Sequence, residues 1–188
     1  MAAPLLLGCD FSSSPSRQKT IVIATGRLVD AGVALSNLEY FTSLEAWAAR
    51  LAQPGERWVG GFDMPFGLPR ELVQALGWPT DWAACMDHYL SLSRADIRST
   101  FKAFCAARPV GQKFAHRATD GPAGSSPSMK WVNPPVAYML HAGVPLLRQA
   151  GVYLPGQMPT PAQPPERVAL EAYPGLLARA VLGRRSYK

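Results

Sequence analysis

"RWVGGFDMPFGLP", residues 57–69, sets the fold class of this chain. Trp58 to Phe62 run without polar alternation into Asp63, and Pro65 follows almost at once. A strand with no alternation is buried on both faces, as in the middle of a parallel sheet. Proline then takes the chain out of that sheet. The same pattern opens the sequence in "LLLGCDFSSSP", residues 5–15, where Leu5–Leu7 lead to Asp10 and a turn-forming Ser/Pro cluster. It returns in "RVALEAYPG", residues 167–175, with Glu171. Three hydrophobic strands that each end on an acid are therefore expected.

The intervening segments give the order of elements. "KTIVIATGRLV", residues 19–29, and "VALSNLEYF", residues 33–41, flank the turn at residues 30–32 and predict a hairpin, so that three consecutive strands are antiparallel. Thr42 and Glu45 form a capping-box pattern, and Leu44, Trp47, Ala48 and Leu51 recur at helical spacing up to Pro54-Gly55. Residues 68–107 read as two or three helices divided by "GWPTD", with Ile97, Phe101, Phe104 and Cys105 on one face of the last. Residues 108–135 are rich in Gly, Ser and Pro, and a loop of such length is usually functional or disordered. A helix at 136–151, a Pro-rich link at 155–166, the fifth strand at 167–173 and a helix opened by Pro174 complete the chain. The expected architecture is one α/β domain over 1–188, with a long helical and loop insertion at about 68–166 between strands four and five. The chain ends one short helix after the last strand, which implies either a compact fold or a missing C-terminal part.

With 188 residues, 48% hydrophobic and 17% charged, the composition is that of a globular domain. No segment approaches the roughly 18 to 20 apolar residues of a membrane span, and the N-terminus lacks the basic region of a signal peptide. A cytoplasmic protein with no membrane partner is expected. Cys9, Cys85 and Cys105 contain no CxxC pair and read as reduced core residues. The net charge of +6 is unevenly distributed. Residues 1–93 hold 6 Lys and Arg against 9 Asp and Glu, whereas residues 94–188 hold 13 against 4. A basic half beside an acidic site suits a polyanionic ligand.

In open α/β sheets, ligands bind beyond the carboxyl ends of the parallel strands. If strands one, four and five are neighbours, Asp10, Asp63 and Glu171 meet at such an edge. Clustered carboxylates repel one another unless a cation neutralises them. Oxygen ligands select Mg²⁺ or Mn²⁺ over zinc. Two such ions about 4 Å apart act on phosphodiesters by activating water and stabilising the leaving oxygen. Asp10, Asp63 and Glu171 are accordingly the candidate catalytic and metal-ligating residues, and phosphoryl hydrolysis is the candidate reaction. Taken singly, Asp10 and Asp63 also suit loop capping, and Glu171 an ion pair. In the long loop, Lys113, His116, Arg117 and Lys130, with Trp131 beside them, combine cations with an aromatic ring able to stack a base. Together with Ser12 they are the candidate substrate contacts. No nucleophile elbow and no GxxxxGK[ST] phosphate loop is present.

The stretches "GCDFS", "GFDMPFGLP" and "EAYPG" and the closing "YK" resemble the domain-of-unknown-function family 429, described as predicted RNase H-like nucleases. The resemblance spans nearly the whole chain. It implies an RNase H-like mixed sheet, with three antiparallel strands followed by alternating helices and parallel strands and flanked by helices. It also implies carboxylate metal ligands at Asp10, Asp63 and Glu171, a divalent-metal-dependent hydrolase of nucleic acid or a related phosphodiester, and a phosphate contact from Lys188. RNase H-like enzymes commonly carry a further acid on the last helix, and residues 174–188 contain none; either Glu171 fills that role, Asp120 of the long loop swings in, or the acid lies beyond Lys188. Two other functions fit the same superfold: a nucleotide-binding phosphotransferase or ATPase, and a non-catalytic module that holds nucleic acid or protein.

Overall fold

The computed structural model describes residues 3–30, 32–183 and 185. Five strands form one mixed sheet: β1 (Leu5–Asp10), β2 (Ile21–Val29), β3 (Gly32–Phe41), β4 (Trp58–Phe62) and β5 (Arg167–Glu171), in the order β3-β2-β1-β4-β5. β2 runs antiparallel to both β1 and β3, while β1, β4 and β5 are mutually parallel. The helices are α1 (Leu44–Ala52), α2 (Arg70–Ala75), α3 (Trp82–Ser91), α4 (Arg94–Ala106), α5 (Asp120–Ala123), α6 (Val136–Gln149) and α7 (Pro174–Leu182). The expected α/β class and mixed five-stranded sheet are thus present. No helix among the described residues is long and apolar enough to cross a membrane.

The chain forms two compact units, residues 1–64 with 142–172 and residues 65–141 with 173–188. The expected insertion at 68–166 is therefore divided: its first part belongs to the second unit, and residues 142–166 belong with the sheet. The second unit holds 12 Lys and Arg against 5 Asp and Glu, and the first 7 against 8, so the basic character resides in the helical unit.

In the first unit the pleat separates two faces. Leu7, Cys9, Ile21, Ile23, Trp58, Phe62 and Ala169 point to one side and are buried. Trp47 and Leu51 of α1, both fully buried, belong to the same core; the Trp47 ring lies 4.9 Å from Phe11 and 6.3 Å from Phe62. Ser43 caps α1 by accepting the Ala46 N–H at 3.1 Å, one residue after the cap expected at Thr42. Both are hydroxyl residues, and the chain leaves the extended conformation only after Ser43. A methyl group at Gly143 of α6 would meet the Met64 thioether and the Phe11 ring, so Met64 would have to shift to admit one. The opposite sheet face carries Leu6, Gly8, Asp10, Val22, Ala24, Leu35, Leu38 and Tyr40, each of them half-buried or exposed.

The second unit is held by apolar helix faces. Ile97, Phe101 and Cys105 of α4 are buried, and the Tyr89 and Phe101 rings stack at 6.0 Å. Buried Tyr89 donates its hydroxyl to the Ala137 carbonyl at 2.9 Å. All three cysteines are free and buried, as expected.

Candidate functional site

Asp10 is the last residue of β1, and Asp63 directly follows β4. Cys9 is in register with Phe62, and the Asp63 N–H donates to the Cys9 carbonyl at 2.9 Å, which extends the ladder by one residue. Asp10 and Asp63 therefore stand side by side at the carboxyl ends of two adjacent parallel strands, on the open face of the sheet. Adjacent strands lie about 4.8 Å apart, so the two carboxylates share one neighbourhood. Asp10 is exposed and Asp63 half-buried.

Glu171 is placed differently. It is in register with Phe62, and the Ala172 N–H donates to the Phe62 carbonyl at 2.9 Å. Residues in register on parallel strands point to the same face, and successive residues alternate. Ala172 consequently continues the row of Asp10 and Asp63, while Glu171 points to the side of Phe62. The proximity of Ala172 to Gly61, an open-face residue, agrees with this alternation. Two of the three expected acids are brought together and the third is turned away. Among the described residues no group of three or more His, Cys, Asp or Glu has the geometry to hold a metal ion.

The Cys9 thiol lies in the core beneath the pair. Burial pushes its pKa from 9.0 up to about 12, the Trp47 indole pulls it down, and the charges of Asp10 and Asp63 both add to the rise. Ser12 and Ser13, in the turn after Asp10, are buried, and Ser14 donates its N–H to Ser12 Oγ at 3.4 Å. Ser12 thus serves the turn.

The remaining candidates lie in the second unit. Lys113 and His116 are exposed, and Lys130 is half-buried. Arg117 is engaged with Asp120: its backbone N–H donates to Asp120 Oδ2 at 2.8 Å, and its guanidinium donates to Oδ1 at 3.0 and 2.8 Å. The Asp120 side chain is fully buried in this pair and also accepts from Ser125 Oγ at 3.4 Å. These contacts bind both residues to the architecture of the loop, so Asp120 is no spare ligand. Trp131 packs against Phe114, with ring centroids 5.5 Å apart. Lys188 lies outside the described residues. A feature not anticipated from the sequence is a ridge of exposed cations at Arg94, Arg98 and Lys102, beside the buried stripe of α4. Their spacing of four residues is the signal that would have revealed it.

No family model matches the chain, and the searches of curated proteins and of solved structures likewise return no match.

Proposed function

We propose that this protein is a Mg²⁺- or Mn²⁺-dependent hydrolase of phosphodiester bonds in nucleic acid, built on an RNase H-like sheet. The adjacency of Asp10 and Asp63 at the carboxyl ends of β1 and β4 carries this proposal. The strand order, with β2 the one strand that runs against the rest, supports the RNase H-like assignment, as do the "GCDFS", "GFDMPFGLP" and "EAYPG" stretches.

The donor set fits the ion. Mg²⁺ is commonly held by one or two carboxylates, with water and substrate phosphate completing its octahedron, so a pair of acids suffices where a closed protein cage is not needed. Asp10 and Asp63 are the residues that would hold it. A divalent ion so bound neutralises phosphate charge and activates water for attack at phosphorus. The chain's own contribution is positional. The β1–β4 ladder fixes the two carboxylates relative to each other, and their place on the uncovered face leaves them open to a bulky anionic substrate. Within the second unit, exposed Arg98, Lys102 and Lys113 are cations of the kind that hold a phosphate backbone without reading its sequence.

Calorimetric titration with Mn²⁺, followed by hydrolysis assays on single- and double-stranded DNA and RNA, tests the proposal. Asp10→Asn and Asp63→Asn should each weaken Mn²⁺ binding at least tenfold and abolish Mg²⁺-dependent cleavage. Cleavage by both variants at the wild-type rate refutes it. Metal-independent nucleic-acid binding with no cleavage would instead identify a binding module.

A further inference from the structure

Within the helical unit, the long loop brings residues 113–116 and 129–131 together. The Ala115 N–H donates to Met129 Sδ at 3.2 Å, and both residues are buried. The second segment is fixed in turn to α6, because the Lys130 carbonyl accepts the Ala137 N–H at 2.9 Å. The two segments share a pattern: each carries a lysine followed at once by an aromatic ring, Lys113-Phe114 and Lys130-Trp131. The rings meet with centroids 5.5 Å apart and planes at 53°, so neither lies flat on the other. Both are half-buried, held by the loop with part of each left open to solvent. Asp120, the one acid in residues 107–135, is taken up by Arg117 and does not offset the two lysines. The Arg108 guanidinium donates to the Gln112 carbonyl at 2.7 Å, which folds the start of the loop back on the end of α4. Lys113 therefore lies near the C-terminal end of the helix that carries exposed Arg98 and Lys102. Burial raises the Cys105 thiol of that last turn, and the charges of Arg108 and Lys113 oppose the rise.

We propose that this pair of lysine–aromatic dipeptides is a docking site for single-stranded nucleic acid, with Phe114 and Trp131 stacking unpaired bases and Lys113 and Lys130 contacting the phosphates between them. The inference rests on the hydrolase reading for the choice of nucleic acid as ligand, and adds to it the form of the strand. Every base has a π-face, so an aromatic platform beside cations holds a strand whatever its sequence. Unpaired bases can be splayed onto such rings. In a duplex each base is already stacked on its neighbours, and a protein ring reaches it only after unstacking at a cost of a few kcal/mol. Phosphate contacts alone would give the opposite order, because a duplex carries one charge per about 1.7 Å of axis and a single strand about half that density. Preference for the single strand is thus the mark of the rings, and salt dependence the mark of the lysines.

Fluorescence anisotropy of the full chain in EDTA, with labelled thymidine and uridine strands of about ten residues and a duplex of the same length, reads the outcome without any metal. Single strands should bind at least about tenfold more tightly than the duplex, and the stronger of the two sugars names the strand as DNA or RNA. Trp131→Ala should weaken single-strand binding about 5- to 150-fold and leave duplex binding unchanged. Trp131→Phe, which keeps a ring and guards against a folding defect, should retain most of the affinity. Lys113→Gln with Lys130→Gln should flatten the dependence of log affinity on log salt by about 1.4, or 0.7 for each lost phosphate contact. A duplex bound as tightly as the single strands overturns the proposal. So does a mononucleotide bound as tightly as the strand, a Trp131→Phe variant that loses binding as fully as Trp131→Ala, or an unchanged salt slope in the lysine variant. The two readings fail separately: Mg²⁺-dependent cleavage with no strand bound in EDTA removes this site alone, and single-strand binding through Trp131 without cleavage supports the site and removes the hydrolase.

Discussion

Replacing Asp10 by Asn removes one of two neighbouring negative charges, and the metal-free protein should become more stable as a result. Two unit charges about 5 Å apart repel by about 0.8 kcal/mol in water and about 3 kcal/mol at the effective dielectric of a protein surface. Asp10 is exposed and Asp63 half-buried, which places the pair near the aqueous limit, at about 1 kcal/mol. In a chain of this length that corresponds to about 2–4 °C in melting temperature. Metal reverses the order. At a concentration one hundred times its dissociation constant, Mg²⁺ or Mn²⁺ adds about 2.7 kcal/mol to a protein that binds it only when folded, and Asp10→Asn should forgo most of that gain. Scanning calorimetry of the wild type, Asp10→Asn and Glu171→Gln, in EDTA and in excess metal, distinguishes the cases. Asp10→Asn should melt above the wild type in EDTA and below it in metal. Glu171→Gln, on the other side of the pleat, should respond to metal as the wild type does. The reasoning is refuted if Asp10→Asn melts at or below the wild type in EDTA and both proteins then rise equally with metal.

Two further outcomes follow from buried groups. Asp120→Ala strands the largely buried Arg117 guanidinium and should cost about 3 kcal/mol in urea unfolding, with Asp120→Asn costing less because its amide oxygen keeps one of the two acceptors that Arg117 uses; a loss below about 0.5 kcal/mol, typical of a surface substitution, would show that the pair contributes little. Because the Cys9 thiol is raised from 9.0 to about 12 on folding, the unfolded chain ionises first, so the stability tied to Cys9 is complete below pH 9 and declines between pH 9 and about 12. The unfolding free energy of Cys9→Ala should consequently fall less steeply with pH in that interval than that of the wild type, and identical slopes would contradict the assigned burial.

The elements were legible because their signals are local. The apolar runs at 5–7 and 58–62, the Pro and Gly punctuation and the helical spacing of Trp47 and Leu51 each act within a few residues, and all five strands form where these signals lie. The shift of the α1 cap from Thr42 to Ser43 shows the limit of such signals, since adjacent hydroxyls compete for the same backbone N–H. Arg117 illustrates a different limit. Composition made it a phosphate ligand, whereas in the structure it is ion-paired with Asp120 three residues on. The uncovered face was not legible at all. By alternation Val33 and Leu35 belong to one side of the strand and Leu38 and Tyr40 to the other, and only the β-bulge at Ser36 brings all four to one face.

The candidate site was half legible for a related reason. That Asp10, Asp63 and Glu171 each end a strand is a property of three short segments, but the face each one takes depends on two ladders, which join segments 53 and 109 residues apart. A shift of one residue in the β4–β5 register would turn Glu171 toward the pair, because side chains alternate with a period of two. The same alternation decides whether the pair can act. On the face covered by α1, the pair would stand beside Phe62 and Trp47, both fully buried, and would be set against that apolar packing. On the face they occupy, the glycines at 8 and 61 leave the floor before them low and open. Access of a polymeric substrate therefore follows from strand parity, and the register that excludes Glu171 also exposes Asp10 and Asp63.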